Sequence, residues 1–155
     1  MVRELVGARL VCVLATFDVE SIHAVPMWVA QDGDTLALAT GSTSRKVRNL
    51  ERDQRATLVL HDSRPGFEVC GVSMTGTVEV VRGQEARHLI ELVHRRYVSD
   101  VGAKIPSVDE FLRSDDTALR FAPLEARTWD ERESSACEAL RASGAAHLLE
   151  PTTPR

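Results

Sequence analysis

The sequence lacks the features that define several large classes of protein. Its 155 residues include three cysteines, which are far apart and form no C-x-x-C pair, so neither a disulfide framework nor a zinc knuckle is indicated. No run of about 18 apolar residues is available for a membrane span. The net charge of -4 argues against a general nucleic-acid-binding protein, because such a protein needs many cationic side chains to neutralise phosphates.

The start and the end of the sequence lead to two further expectations. Glu4 and Arg9 interrupt the stretch where a secretory signal needs continuous apolar residues, so we expect a cytoplasmic protein with no membrane partner. No Pro/Gly/Ser-rich linker divides the chain, which predicts one domain over residues 1–130. Residues 131–155 turn to Ser, Ala, Glu and Arg, and they predict a helical or loose tail with a weak helix at 134–143.

Most of the first 130 residues have the pattern of short strands joined by turns. The clearest is 72–80, where Val72, Met74, Gly76 and Val78 alternate with polar residues. Cys12 belongs to the first strand, as a small hydrophobe. The predicted strands are Arg9–Thr16, His23–Ala30, Thr35–Thr40, Arg55–His61, Val72–Val80 and Ala118–Trp129. They predict a mainly β fold in which six antiparallel strands close as a small barrel.

Helices are predicted beside this barrel. Apolar residues between Gln84 and Tyr97 follow the helical spacing of one buried stripe. Ser107 and Glu110 have the spacing of a capping box and predict the start of a second helix. Pro123 lies inside the last strand and predicts an edge or a bulge, because proline cannot donate to a ladder.

The stretch T-G-S-T-S-R-K-V-R-N-L at 40–50 is a candidate phosphate site. It contains Lys46, and lysine occurs at only two positions in the sequence. Thr43 or Ser44 can cap a helix there, and the free N–H groups and dipole of a helix start favour an anion. Ser44, Arg45 and Lys46 would add a hydroxyl, a guanidinium fork and a point charge. The alternative is a short amphipathic helix with a solvated basic face.

The strand before this candidate contains V-P-M-W at 25–28. Pro26 marks an edge or a bulge, which leaves backbone free to meet a ligand. Met27 and Trp28 add polarizable and flat surface beside it, so a planar heterocycle could lie there. The alternative is that Met27 and Trp28 are ordinary core residues.

Taken together, several segments resemble the flavin-binding split-barrel proteins, that is, the pyridoxamine-phosphate-oxidase-like family and its deazaflavin-dependent relatives. The resemblance covers roughly residues 8–130, and its segments are A-T-F-D, H-A-V-P-M-W, D-G-D-T-L-A-L-A-T, S-R-K-V-R-N-L-E-R-D-Q-R-A-T-L-V and V-S-M-T-G-T-V-E-V-V. It implies a six-stranded antiparallel split β-barrel of the FMN-binding type, with flanking helices. It also implies a homodimer with two cofactor sites at the subunit interface.

The resemblance implies roles for particular residues. The cofactor phosphate would be held by Thr40, Ser44, Arg45 and Lys46. The isoalloxazine ring would lie along Val25, Pro26, Met27 and Trp28, and the partner subunit would contribute the strand near Cys70 and Gly71. The implied activity is a hydride transfer between FMN or a deazaflavin coenzyme and a small molecule, which needs no catalytic dyad and no metal.

Some features depart from the family pattern. The fifth strand reads C-G-V-S-M-T-G without the glutamine of the true phosphate oxidases, and the sequence ends T-T-P-R without their Arg/Trp signature, so vitamin B6 oxidation is not expected. Arg48, Arg52 and Arg55 could serve the acidic tail of a deazaflavin, but 17 of the 19 basic residues are arginine, so both cofactors remain open. A non-catalytic protein that stores or senses the cofactor, and a dimeric scaffold with an empty phosphate site, also remain alternatives.

No histidine presents a metal or catalytic motif. His88 and His94 are six residues apart, about 240 degrees around a helix, so they cannot face one ion. We expect both to face solvent, opposite the apolar stripe of their helix. The substrate pocket is expected to be built from the segments 61–68 and 97–108, neither of which bears a reaction signature.

Overall fold

The computed structural model describes residues 1–63 and 69–144. Within these residues seven strands form one antiparallel sheet: β1 (Cys12–Asp18), β2 (Ser21–Met27), β3 (Ala30–Asp32), β4 (Thr35–Thr40), β5 (Arg55–Ser63), β6 (Val69–Val81) and β7 (Thr117–Asp130). The helices are α1 (Val2–Gly7), α2 (Arg45–Arg52), α3 (Gly83–Tyr97), α4 (Pro106–Arg113) and α5 (Ser135–Ser143), with a 3₁₀ turn at Gly102–Lys104. Most of the predicted loop 61–68 and the end of the tail lie outside the described residues.

The strand order shows how the sheet curls. The order is β2-β1-β5-β6-β7-β4-β3, so the consecutive strands β2 and β3 lie at opposite edges. Met27 ends β2 and Ala30 begins β3, and three Cα steps of about 3.8 Å cannot span more than about 11 Å. The sheet must therefore roll until its two edges are neighbours. Among the described residues no ladder joins these edges, so the barrel is not closed by hydrogen bonds.

The predicted strand His23–Ala30 is in fact two strands, which is why the sheet has seven strands and not six. The chain leaves one edge after Met27 and joins the other edge at Ala30. Between them the backbone N–H of Val29 donates to the Tyr97 hydroxyl at 3.2 Å, and that hydroxyl donates to the Leu10 carbonyl at 2.6 Å. The Tyr97 side chain of α3 thus makes hydrogen bonds at this crossing that a neighbouring strand would otherwise make. The alternating pattern of apolar and polar residues cannot reveal such a contact.

The core lies inside the curled sheet. Leu14, Leu38, Leu58, Val72 and Phe121 each have 0% exposure, so β1, β4, β5, β6 and β7 all contribute to one apolar interior. The alternation predicted for β6 is present. Cys12 and Cys70 are both buried strand residues, as expected, and burial raises the pKa of Cys12 to about 12.

A bulge in β7 confirms the prediction made for Pro123. Thr75 pairs with Glu125 and Gly76 pairs with Pro123, so Leu124 is the extra residue on β7. Its side chain is 79% exposed. The proline thereby avoids a ladder bond that it could not make.

The structure differs from prediction at three further places. The second predicted helix is present as α4, which begins at Pro106, but its capping box is wrong, because the N-cap is Ile105 and no side chain caps the helix. Proline suits the first helical position because its missing N–H is not needed there. The first strand begins at Cys12 and not at Arg9, and the residues before it include α1, which was not predicted.

Two other helices agree with their sequence patterns. Helix α3 buries the predicted stripe of Ala86, Leu89, Ile90 and Val93. Helix α5 is capped by Ser134, whose hydroxyl accepts the N–H of Cys137 at 3.4 Å. No helix in the described part of the chain combines the length and the apolar character needed to cross a bilayer.

Candidate functional site

A pocket of about 390 Å³ lies where β2, β4, α2, α3 and α4 meet. Its lining residues are Val11, Val25, Pro26, Met27, Trp28, Ala39, Thr40, Lys46, Val93, Phe111 and Asp115. One wall is apolar, and the polar side chains at the other end are a hydroxyl, an ammonium and a carboxylate. Six of the nine residues predicted for the cofactor site therefore line one pocket.

The apolar wall is the end of β2. Pro26 lies in an edge strand, as predicted from its place in the sequence, and it pairs with Val13 of β1. After Met27 the chain leaves the sheet, and the Trp28 ring stacks on Tyr97 with centroids 4.9 Å apart and planes 4° from parallel. Trp28 is partly buried and packs outside the core of the curled sheet, whereas Met27 is a buried member of that core.

The polar end is built by the last residue of β4 and the first turn of α2. Lys46 Nζ donates to Thr40 Oγ1 at 2.9 Å, and Thr40 Oγ1 donates to Ser44 Oγ at 3.3 Å. Ser44 is the N-cap of α2 but accepts no first-turn N–H, so those donors remain without a side-chain cap. Burial lowers the pKa of Lys46, and the negative charge of Asp115 opposes that shift.

Arg45 is not at this end of the pocket. Its Nε donates to Asp18 Oδ2 at 2.6 Å, and Arg52 donates to Asp18 Oδ1 at 2.9 Å. The hydrogen bond from Arg45 is the main cause that lowers the pKa of Asp18. Asp18 is the last residue of β1. The structure thus ties the predicted phosphate-binding guanidinium to a carboxylate outside the pocket.

Gly71 is also away from the pocket of this chain. It pairs with Trp129 across β6 and β7. A Cβ added at Gly71 would lie 2.1 Å from Trp129 Cζ2, so the glycine makes room for the indole. A role for Gly71 at the site of a partner subunit remains a prediction.

The segment between α4 and β7 reaches the pocket and was missed. The ring of Phe111 meets the Trp28 ring edge-on at 5.8 Å, and Asp115 lines the polar end. Asp116 accepts the backbone N–H of Ser42 at 2.6 Å and its hydroxyl at 2.8 Å. The register of β4 and β7 brings the two regions together, with Thr40 opposite Thr117. That pairing is the only signal that could have located Asp115, and a single sequence does not contain it.

His94 also differs from prediction. His88 is exposed on α3 as expected, but the His94 side chain is only 13% exposed and its Nε2 lies 2.8 Å from Asp115 Oδ2. The expectation that both histidines face solvent is therefore wrong for His94. Residues six apart do lie on different faces, and here the second face meets the segment between α4 and β7 instead of water.

The residues present fit a ligand with a planar apolar body and a terminal phosphate. One end of the pocket holds the uncapped start of α2, the Thr40 hydroxyl and the partly buried Lys46 ammonium. These donors suit a phosphate. The wall from Val25 to Trp28 suits an aromatic ring system. Among the described residues no group of acidic, histidine or cysteine side chains is arranged to hold a metal ion.

Comparisons with known proteins show the family and the fold. Residues 1–130 match the model of the family described as pyridoxamine 5'-phosphate oxidase. A conserved hypothetical protein from Mycobacterium tuberculosis has 30% identity and a TM-score of 0.70, over 84% of this chain and 83% of that chain. An F420 reductase has 19% identity and a TM-score of 0.61, over 81% of this chain and 94% of that chain.

A third solved structure shares the fold. The heme storage protein HutZ from Vibrio cholerae has 15% identity and a TM-score of 0.64, over 83% of this chain and 91% of that chain. Identities this low show the fold alone. No curated protein matches the chain.

Proposed function

The chain belongs to the pyridoxamine 5'-phosphate oxidase family, and from that premise we propose that it is an oxidoreductase that uses FMN or a deazaflavin coenzyme. The reaction is a hydride transfer to or from a small molecule. One observation carries the proposal: a single pocket joins the Val25–Trp28 wall to the cluster of Thr40, Ser44 and Lys46. A pocket of about 390 Å³ also lies within the range of small-molecule sites, about 300–1,000 Å³.

The chain's own residues bind and orient the cofactor in this proposal. Lys46, Thr40 and the first-turn amides of α2 hold the phosphate, and Ser44 supports Thr40 through its hydroxyl. The wall from Val25 to Trp28 holds the ring, which supplies the hydride chemistry when bound. Arg45 contributes only if an anion draws it away from Asp18.

A homodimer is part of the proposal. Proteins of this family are commonly dimers. A second copy would cover the open side of the pocket, and the strand around Gly71 is the part of the partner proposed to reach it. Light scattering tests this point: a dimer is expected, and a monomer that still binds the cofactor would contradict it.

The arginines near α2 favour FMN as the first cofactor to test. Arg52 is bonded to Asp18, Arg55 makes hydrogen bonds of 2.6 Å and 3.0 Å to Asp53, and Arg48 donates to the Thr43 carbonyl. A deazaflavin with an acidic tail would have to displace these intramolecular partners. The likeness to an F420 reductase keeps the deazaflavin coenzyme as the alternative. Vitamin B6 oxidation is not proposed, because β6 lacks the glutamine of that activity.

A non-catalytic protein that stores or senses a flavin-type cofactor is the second candidate. The observation that favours it is the shared fold with a heme storage protein. Stopped-flow measurement with reduced FMN bound to the protein distinguishes the two. An oxidoreductase passes electrons to an added acceptor faster than free reduced FMN does, whereas a storage protein slows that transfer.

A further inference from the structure

The mouth of the candidate cofactor pocket is an exposed apolar rim. Phe111 of α4 lines the pocket and is 58% exposed, and Val11, directly before β1, lines it and is 47% exposed. Pro26 is a third exposed apolar residue of the lining. Single exposed apolar residues are common on protein surfaces, whereas three at one pocket indicate a site that an apolar ligand covers.

The position of Phe111 is not explained by packing in the core. None of the eight described residues of α4 is buried. The ring contact of Phe111 is its edge-on approach to Trp28, with centroids 5.8 Å apart. More than half of the side chain is therefore left for a contact outside the fold. Phe111 lies just beyond the segment 97–108, which was expected to help build the substrate pocket.

The angle between two aromatic rings separates this rim from the wall proposed for the cofactor. The planes of Trp28 and Phe111 are 72° apart, so one planar ring cannot stack on both. A cofactor ring that lies along the wall from Val25 to Trp28 therefore leaves the Phe111 ring to a second molecule. Phe111 lies beside the place where that molecule would meet the cofactor ring.

The charged groups lie at the other end of the pocket. Among its described lining residues the charged ones are Lys46 and Asp115, at the phosphate-binding end. An ion that entered at the apolar rim would lose hydration without gaining an opposite charge, which costs free energy. The rim therefore selects against charged molecules.

The shape and the charge of the rim together define a class of substrate. We propose that the acceptor of the hydride is a planar, uncharged, apolar molecule, and that Phe111 is the specificity-determining residue that packs against its ring. The inference rests on the proposed function. In balance, the reduced cofactor loses a hydride and a proton, and the acceptor gains both, as when a quinone becomes a hydroquinone.

The first test compares two acceptors that share one ring system and differ in charge. Menadione is uncharged, and 1,4-naphthoquinone-2-sulfonate carries one negative charge. Reduced FMN bound to the protein is mixed with each acceptor, and each rate is divided by the rate with free reduced FMN. The divided rate should be at least about tenfold higher for menadione, because only the sulfonate loses hydration at the rim. Equal divided rates would overturn the inference.

The second test removes the ring of Phe111 and follows a single turnover of bound reduced FMN. Phe111→Ala should raise the half-saturating menadione concentration about tenfold and change the limiting rate less than about twofold, the scale of a lost aromatic contact and its buried area. Phe111→Tyr keeps the ring and should saturate as the wild type does. The fold should survive Phe111→Ala, because the side chain is more than half exposed.

Two controls separate acceptor binding from other effects. Ile105, the N-cap of the same helix, is 51% exposed and does not belong to the described lining of the pocket, so Ile105→Ala should leave menadione saturation unchanged. Ferricyanide takes electrons only and needs no apolar site. Its rate should be the same in Phe111→Ala and in the wild type, whereas a cofactor displaced by the substitution would change it.

The outcomes are distinct for the two proposals. Wild-type saturation by menadione in Phe111→Ala, or the same change in Ile105→Ala, overturns the role of Phe111 and leaves the cofactor site standing. A Kd for FMN that rises as much as the half-saturating menadione concentration would show that Phe111 contacts the cofactor, and this also overturns the inference. Absence of binding by both FMN and the deazaflavin coenzyme overturns the proposed function and this inference with it.

Discussion

Replacing Lys46 with alanine is expected to weaken the binding of FMN far more than the binding of riboflavin. Lys46 is partly buried, and its ammonium donates to Thr40 Oγ1 at 2.9 Å. Burial lowers its pKa because the charged form has lost part of its hydration. A phosphate at this position would restore a partner for that charge, whereas riboflavin has no phosphate to offer.

The magnitude follows from the loss of one charge-assisted hydrogen bond. Such a bond contributes about 1.5–3 kcal/mol. Since each 1.4 kcal/mol is about a factor of ten, the Kd for FMN should rise about 10- to 150-fold. The fold should survive, because the substitution removes a partly desolvated charge and no core side chain. Lys46→Met, which keeps most of the alkyl stem, should show the same loss of affinity.

The assay is fluorescence-quenching titration at matched ionic strength. The other lysine supplies the control: Lys104 is exposed in the 3₁₀ turn, and Lys104→Ala should bind FMN as the wild type does. An unchanged FMN affinity in Lys46→Ala would refute the phosphate assignment. An equal loss for riboflavin would show that Lys46 supports the pocket and does not contact the phosphate.

Three further predictions concern the surroundings of the site. Asp18→Asn removes the carboxylate that pairs with Arg45, so Arg45 becomes available to the phosphate and FMN should bind about two- to fivefold more tightly, the size of one exposed ion pair. A titration that shows unchanged or weaker binding would leave Arg45 without a role in binding the cofactor. The pKa of Asp18 is lowered in the folded state, so the ionised carboxylate stabilises the fold above about pH 4, and this stabilisation is lost as the pH falls through the folded pKa. The difference in Tm between wild type and Asp18→Asn should therefore shrink below about pH 4. A difference that stays constant with pH would contradict this account. Gly71→Ala should lower the free energy of unfolding by about 1–3 kcal/mol in a urea titration, because its Cβ would overlap the Trp129 ring; wild-type stability would show that the ring moves freely.

The sequence predicted those parts of the fold that depend on local pattern. The alternation in β6, the apolar stripe of α3 and the break at Pro123 are each set by neighbouring residues, and all three are confirmed. The crossing at Trp28 and Val29 was not predicted. It depends on the Tyr97 hydroxyl, a contact across 68 residues of sequence.

The same difference between local patterns and contacts of distant residues applies to the candidate site. The residues contributed by the end of β2 and the start of α2 are contiguous in sequence, so their types indicated a ring wall and a phosphate-binding end. Arg45 was predicted at the phosphate-binding end because it lies between Ser44 and Lys46 in the sequence. Its hydrogen bond to Asp18, 27 residues earlier, holds it outside the pocket. Asp115 and His94 carry no motif, because they meet only where β7 begins beside the end of β4.

The most direct test of the central claim is a titration of the cofactor-free protein with FMN, with the deazaflavin coenzyme and with riboflavin, followed by fluorescence quenching. The account predicts tight binding of one phosphate-bearing cofactor and weaker binding of riboflavin. Binding of neither cofactor would contradict it, and the start of α2 would then be an amphipathic helix with a solvated basic face.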